Sequence, residues 1–136
     1  MIASLHVSPG RRLGHFFRIH SHNVRTAEVI RYLRDLHRRL GRPLIVVMDR
    51  LPAHRSAVRQ LRETDATWLR VEWLPGYAPD LNPIEAHWST SKYSRLANYV
   101  PEHIDDLYDA ITAAVGDAAL DQSLLRSFFQ SARLRL

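Results

Sequence analysis

The sequence predicts an α/β domain, a mixed sheet flanked by helices, and three observations carry that expectation. The first is a strongly apolar run rich in β-branched residues, Leu44-Ile45-Val46-Val47-Met48, the pattern of a central strand buried on both faces. The second is a pair of apolar stretches ahead of it, separated by the breaker-rich Ser8-Pro9-Gly10-Arg11-Arg12, which reads as an antiparallel hairpin. The third is that segments of helical period alternate with strands from residue 23 onward, as βαβ units require.

Taken in order, residues 3–7 form the outgoing strand of the hairpin and 15–20 (His-Phe-Phe-Arg-Ile-His) its return. A helix is expected over 23–40 with Asn23 as N-cap and Ala27, Ile30, Leu33, Leu36 and Leu40 as its apolar stripe. Gly41 and Pro43 end it. After the 44–48 strand comes a short helix from about Ala53 to Arg62, with Ala57, Val58 and Leu61 inward. Residues 68–74 alternate, Leu69, Val71 and Trp73 against Arg70 and Glu72, which reads as a strand. Three helices complete the chain: 82–98, one starting at Pro101 and broken near Gly116, and 121–132 with Leu124, Leu125, Phe128 and Phe129. At 136 residues this is one domain, divided into a hairpin (1–22), an α/β core (23–99) and C-terminal helices (100–136).

The chemistry is expected where strands end. Asp49 directly follows the apolar strand, the place where open α/β sheets put their ligands, although an acid there also caps the turn into a helix that Pro52 starts. Downstream, Trp73-Leu74-Pro75-Gly76-Tyr77-Ala78-Pro79-Asp80-Leu81-Asn82-Pro83-Ile84-Glu85 runs from a strand through a proline-stiffened loop into a helix. Asn82 suits the N-cap and Pro83 the first helical position, so Glu85 falls at N3. There it either closes a capping box onto the Asn82 backbone or is delivered to a fixed place as a free carboxylate.

Asp49 with His54 (Asp-x-x-x-x-His), followed by Tyr-Ala-Pro-Asp-Leu-Asn-Pro-Ile-Glu and then Trp88, resembles the DDE transposases of bacterial insertion sequences, in the branch akin to mariner elements. The separation of Asp49 and Glu85, 36 positions (85 − 49), fits that family's spacing between its second and third catalytic acids. The resemblance covers about residues 4–99 and implies a ribonuclease-H-like fold. It also implies phosphoryl transfer on DNA, with Asp49 and Glu85 holding Mg²⁺ or Mn²⁺. Magnesium favours carboxylate oxygens and water, so an acid cluster without cysteine is the expected site.

The resemblance is incomplete. The family's first acid lies on a strand upstream of the hairpin, and no such strand precedes residue 3. The only acids before Asp49 are Glu28 and Asp35, both inside the expected first helix. The chain therefore resembles the carboxyl-terminal part of a catalytic domain, lacking its first strand, with weak metal binding and little or no strand transfer alone. A homodimer or a partner chain supplying the lost acid remains open, as does a non-catalytic DNA-binding or dimerising remnant. Arg50 stands where the family usually has Asn, and would either contact phosphate or pair with Asp49 and compete with the metal. His54 holds the loop or hydrogen-bonds near the metal; His87, two positions past Glu85, is set aside.

Composition adds a partner. Fourteen of nineteen basic residues lie within residues 1–70, whereas 96–125 carry six acids and no Lys or Arg. A basic front suits a polyanion such as DNA, and an ordinary solvated surface would look the same. Arg11 and Arg12 in the hairpin turn, with Arg18, Arg25 and Arg50, are the candidate phosphate contacts. There is no cysteine for a disulfide framework or a thiolate metal site. With no apolar run of bilayer length and no signal-peptide pattern at Met1-Ile2-Ala3-Ser4-Leu5, the expected location is the cytoplasm, in association with the nucleoid.

Overall fold

A computed structural model describes residues 1–64, 66–90 and 99–135. Its elements are β1 (Ile2–Val7), β2 (Leu13–Arg18), α1 (Thr26–Leu40), β3 (Leu44–Met48), α2 (Pro52–Glu63), β4 (Leu69–Trp73), a 3₁₀ turn (Pro79–Leu81), α3 (Pro83–Thr90), α4 (Ile104–Leu120) and α5 (Gln122–Ser131). The strands pair as β1 with β2 and as β3 with β4. This is a mixed α/β arrangement, consistent with part of a ribonuclease-H-like fold. No helix among the described residues is long and apolar enough to cross a membrane. The chain divides into two compact units, one of residues 1–2 and 17–78, the other of residues 3–16 and 79–136.

In the first unit β3 and β4 run parallel, with Leu44 opposite Leu69, Val46 opposite Val71 and Met48 opposite Trp73. Parallel neighbours need a crossover of a dozen or more residues, and α2 supplies it. Helices α1 and α2 pack together. The core is built from Val29, Tyr32, Leu33 and Leu36 of α1, Ala57, Val58 and Leu61 of α2, and Leu44 and Val71 of the strands. The apolar stripe of α1 is therefore rotated from the expected one: Ala27 is exposed, and Val29, Tyr32, Leu33 and Leu36 make the i, i+3, i+4, i+7 set.

Two further expectations change. The β3 strand is not buried on both faces, because Ile45 and Val47 are 70% and 60% exposed. Helix α1 starts at Thr26 rather than after Asn23, with Arg25 as the capping residue. Glu28 decides this boundary: its Oε2 accepts the Arg25 backbone N–H at 2.9 Å, closing the first turn from inside. That bond, then the Arg31 guanidinium, holds the Glu28 carboxyl at about 2 against the opposing effect of burial.

In the second unit Leu13 of β2 packs with Leu125, Phe128 and Phe129 of α5, and Leu5, Ala86 and Leu124 lean on that cluster. The Gln122 side chain clamps β2 as a strand would, accepting from Leu13 N at 3.0 Å and donating to Leu13 O at 2.8 Å. The β1–β2 connection is five residues long, too short for anything but an antiparallel pair. It turns through Arg11 at φ 59°, with Arg11 N donating to Ser8 O and Ser8 N to Arg12 O, both at 2.9 Å.

Helix α4 continues past Gly116, where a break was expected, since one helical glycine costs only about 1 kcal/mol. It stops at Asp121, whose Oδ1 caps α5 by accepting from Ser123 N at 2.9 Å and Leu124 N at 3.0 Å. Helix α3 is described to Thr90; the expected continuation over 91–98 lies outside the described residues.

Each unit has a fully buried leucine, Leu61 at 1% and Leu125 at 0% exposure. Leu61→Ala and Leu125→Ala should each cost about 2–5 kcal/mol in urea unfolding, whereas truncation of the exposed Ile45 to Ala should cost well under half of that.

Candidate active site

Asp49 sits one residue beyond β3, half-exposed, in the first unit. Its Oδ1 is fully occupied. It accepts the Leu51 backbone N–H at 3.1 Å and faces His54 Nδ1 at 2.6 Å. A carboxylate only accepts, so His54 carries its proton on Nδ1. Pro52 opens α2 and brings His54 round within the first turn of that helix, which is why an acid at 49 meets a histidine at 54. Asp49 Oδ2 makes no hydrogen bond among the described residues, so its lone pairs are open to a cation.

Arg50 does not pair with Asp49. Its Nε donates to the Leu74 carbonyl at 3.2 Å, across the parallel strand ends, and leaves the acid uncompensated by that guanidinium. The loop that follows Leu74 holds Tyr77 fully exposed, with φ 55°, an unusual backbone for a bulky side chain.

Glu85 belongs to the second unit. Asn82 caps α3 as expected, its Oδ1 accepting Ile84 N at 3.4 Å, and Pro83 occupies the first helical position. The capping box is not closed. Asn82 N donates instead to the Pro79 carbonyl at 2.8 Å, through the 3₁₀ turn, so the Glu85 side chain has no backbone donor to return to. Its carboxylate is exposed and without a hydrogen bond among the described residues.

What sequence reading missed is how α3 is anchored. His87 is completely buried and lies against His15 of β2, ring centroids 4.5 Å apart, and against Phe128 of α5 at 5.4 Å. A histidine two positions past an exposed acid faces inward by helical geometry, and the apolar neighbours it would meet were not legible. Trp88 is half-buried beside His87, at 5.3 Å.

The upstream acids are committed elsewhere. Glu28 takes the Arg31 guanidinium at 2.6 Å and faces His22 at 3.5 Å. Asp35 pairs with Arg38, and with Arg18 at 2.6 Å. Arg18, expected to contact phosphate, thus has its charge balanced within the fold, while Arg11, Arg12 and Arg25 are exposed. Among the described residues no group of three or more His, Asp or Glu could hold a metal ion. Asp49 through Oδ2, and Glu85, have the donor chemistry that a hard cation such as Mg²⁺ takes.

A family model described as DDE superfamily endonuclease matches residues 5–107, well over half of the chain and inclusive of both acids and His54. The chain belongs to that superfamily, whose members are transposase-like nucleases acting on DNA and typically using divalent metal. No curated protein matches it.

The buried histidine contact makes the second unit sensitive to acid. Burial above all, then His87 and His6, lowers the pKa of His15 from 6.5 to about 3. Between those values the unfolded chain binds a proton that the folded chain refuses, so stability should fall as pH falls from 6.5 toward 3. Urea midpoints measured across that window should decline, and His15→Phe should make the decline shallower. Equal slopes in both proteins would remove the role given to His15.

Proposed function

We propose that this chain is the carboxyl-terminal part of the catalytic domain of an insertion-sequence transposase of the mariner-like branch. Asp49 and Glu85 serve as the second and third acids of its catalytic set. The observation that supports this reading is the contrast among its acids. Glu28 and Asp35 are neutralised by arginines, whereas Asp49 keeps one oxygen open at a strand end and Glu85 stands unpaired. Both carboxylates therefore keep oxygens that a hard cation can take.

Bound Mg²⁺ or Mn²⁺ would activate the attacking oxygen and stabilise the leaving one. The chain's own residues prepare for it. His54 holds Asp49 Oδ1 and so fixes the rotamer that leaves Oδ2 outward. Asn82 and Pro83 fix the start of α3 and hence the position of Glu85. Arg50, tethered to Leu74, keeps free N–H groups for a DNA phosphate.

In this reading residues 1–136 belong to a single catalytic domain that works on DNA at the nucleoid. With two acids of the set among them, these residues alone bind metal weakly and transfer strands little or not at all.

Calorimetric titration with Mn²⁺ tests the assignment. Binding in the millimolar range is expected, with Asp49→Ala and Glu85→Ala each weakening it at least tenfold and Asp35→Ala leaving it unchanged. Binding that is indifferent to both acids would leave a non-catalytic DNA-binding or dimerising remnant as the better description.

A further inference from the structure

A cleft of about 650 Å³ opens beside Asp49 in the first unit, lined by Arg50, Arg55, Arg59, Arg62, Glu63 and Trp73, with Val58 at its base. Three of the arginines come from one face of α2. Positions 55, 59 and 62 are i, i+4 and i+7, the face opposite the buried Ala57 and Leu61. None of the four arginines makes an ion pair among the described residues, although Arg18, Arg31, Arg38 and Arg70 elsewhere all do. Four guanidiniums against the single Glu63 leave the lining strongly positive.

Like charges gathered on one wall repel, and Glu63 is the single counter-charge in the lining. That arrangement fits a polyanion. The span from Arg55 to Arg62 is about 10 Å at 1.5 Å per residue. Phosphates of an unpaired strand are spaced more widely than the roughly 3.4 Å axial rise of a duplex strand, and the long guanidinium side chains fan outward from the helix to reach them. Arg50 extends the row to the residue beside Asp49, its orientation set by the Leu74 carbonyl at 3.2 Å. Trp73 is only partly buried and stands opposite Met48 in the parallel register, at the same end of the sheet. An indole beside a row of arginines is the combination that binds unpaired strands, phosphates to the cations and a base to the ring.

We propose that this cleft binds a single DNA strand next to Asp49. Arg50, Arg55, Arg59 and Arg62 hold successive phosphates, and Trp73 stacks on an unpaired base. The proposal rests on the reading of the chain as a DNA-acting nuclease and names where, and in which form, that substrate lies. It moves the main contact from the hairpin arginines to α2.

Fluorescence anisotropy with dye-labelled oligo-dT, and with a duplex of the same length, tests it over a range of salt. The variant carrying Arg55→Ala, Arg59→Ala and Arg62→Ala should lose about tenfold or more in affinity, and about two units of the log–log salt slope, at roughly 0.7 per single-strand phosphate contact. Trp73→Leu should weaken oligo-dT several-fold and leave the duplex unchanged. Glu63→Gln, which removes no packing, should tighten binding and steepen the slope, so the proposal remains testable even where the triple variant folds poorly by circular dichroism.

Mn²⁺ affinity should be unaltered in the folded variants. Loss of DNA binding with metal binding intact supports the cleft. An unchanged slope in the triple and Glu63→Gln variants overturns it, and so does loss of binding only on Arg11→Ala/Arg12→Ala. Thymidine monophosphate competing as well as the oligonucleotide overturns it too, since the cleft would then be a nucleotide pocket. Failure of metal binding to respond to Asp49→Ala would count against the transposase assignment instead.

Discussion

The parallel pairing of β3 with β4 governs the chemistry of the first unit. Because the strands point the same way and are matched from Leu44–Leu69 to Met48–Trp73, their carboxyl ends emerge together. Asp49, Arg50, Trp73 and Leu74 therefore share one end of the sheet, and the crossover helix α2 starts beside it and runs back toward the other end, where β4 begins. The His54 bond to Asp49, the Arg50 bond to Leu74 and the arginine face of α2 all follow from that one register. A slip of one residue would turn every side chain of a strand to the other face and dismantle all three.

A second constraint is the allocation of charge. Acids are outnumbered by bases, fourteen to nineteen, and arginines take the two carboxylates of α1. Glu28 and Asp35 are claimed, and their work is structural: the first turn of α1 in one case, the anchoring of Arg18 and Arg38 in the other. Asp49 is held by a histidine instead, through one oxygen only. Glu85 is held by nothing described, because the 3₁₀ turn before Asn82 consumes the donor a capping glutamate would need. Both residues lie within the stretch that matches the DDE superfamily model.

Much of this was legible in the residues. The Asp-x-x-x-x-His spacing matches the Asp49–His54 hydrogen bond, and the Asn82–Pro83 start of α3 was legible because proline and asparagine fix backbone locally. The inward faces of α2 and α5 were legible from period alone. What was not legible depends on contacts distant in sequence. Glu28 moved the start of α1 from Asn23 to Thr26 by capping from within. Ile45 and Val47 look like core residues by composition, yet they stand on an exposed face of β3, because composition does not say how many layers cover a strand. His87 gained its meaning from His15, 72 positions earlier (87 − 15). Arg55, Arg59 and Arg62 were not singled out, because only the folded β4 brings Trp73 beside them.

The central claim is that Asp49 and Glu85, both left without arginine, are the acids that meet the metal. Paramagnetic broadening of amide signals by substoichiometric Mn²⁺ addresses it directly, residue by residue. The account predicts broadening of residues 49–51 and 84–86 at the same low metal concentration, with residues around Glu28 and Asp35 unaffected. Broadening centred on Glu28 or Asp35, or on neither pair of acids, would contradict it.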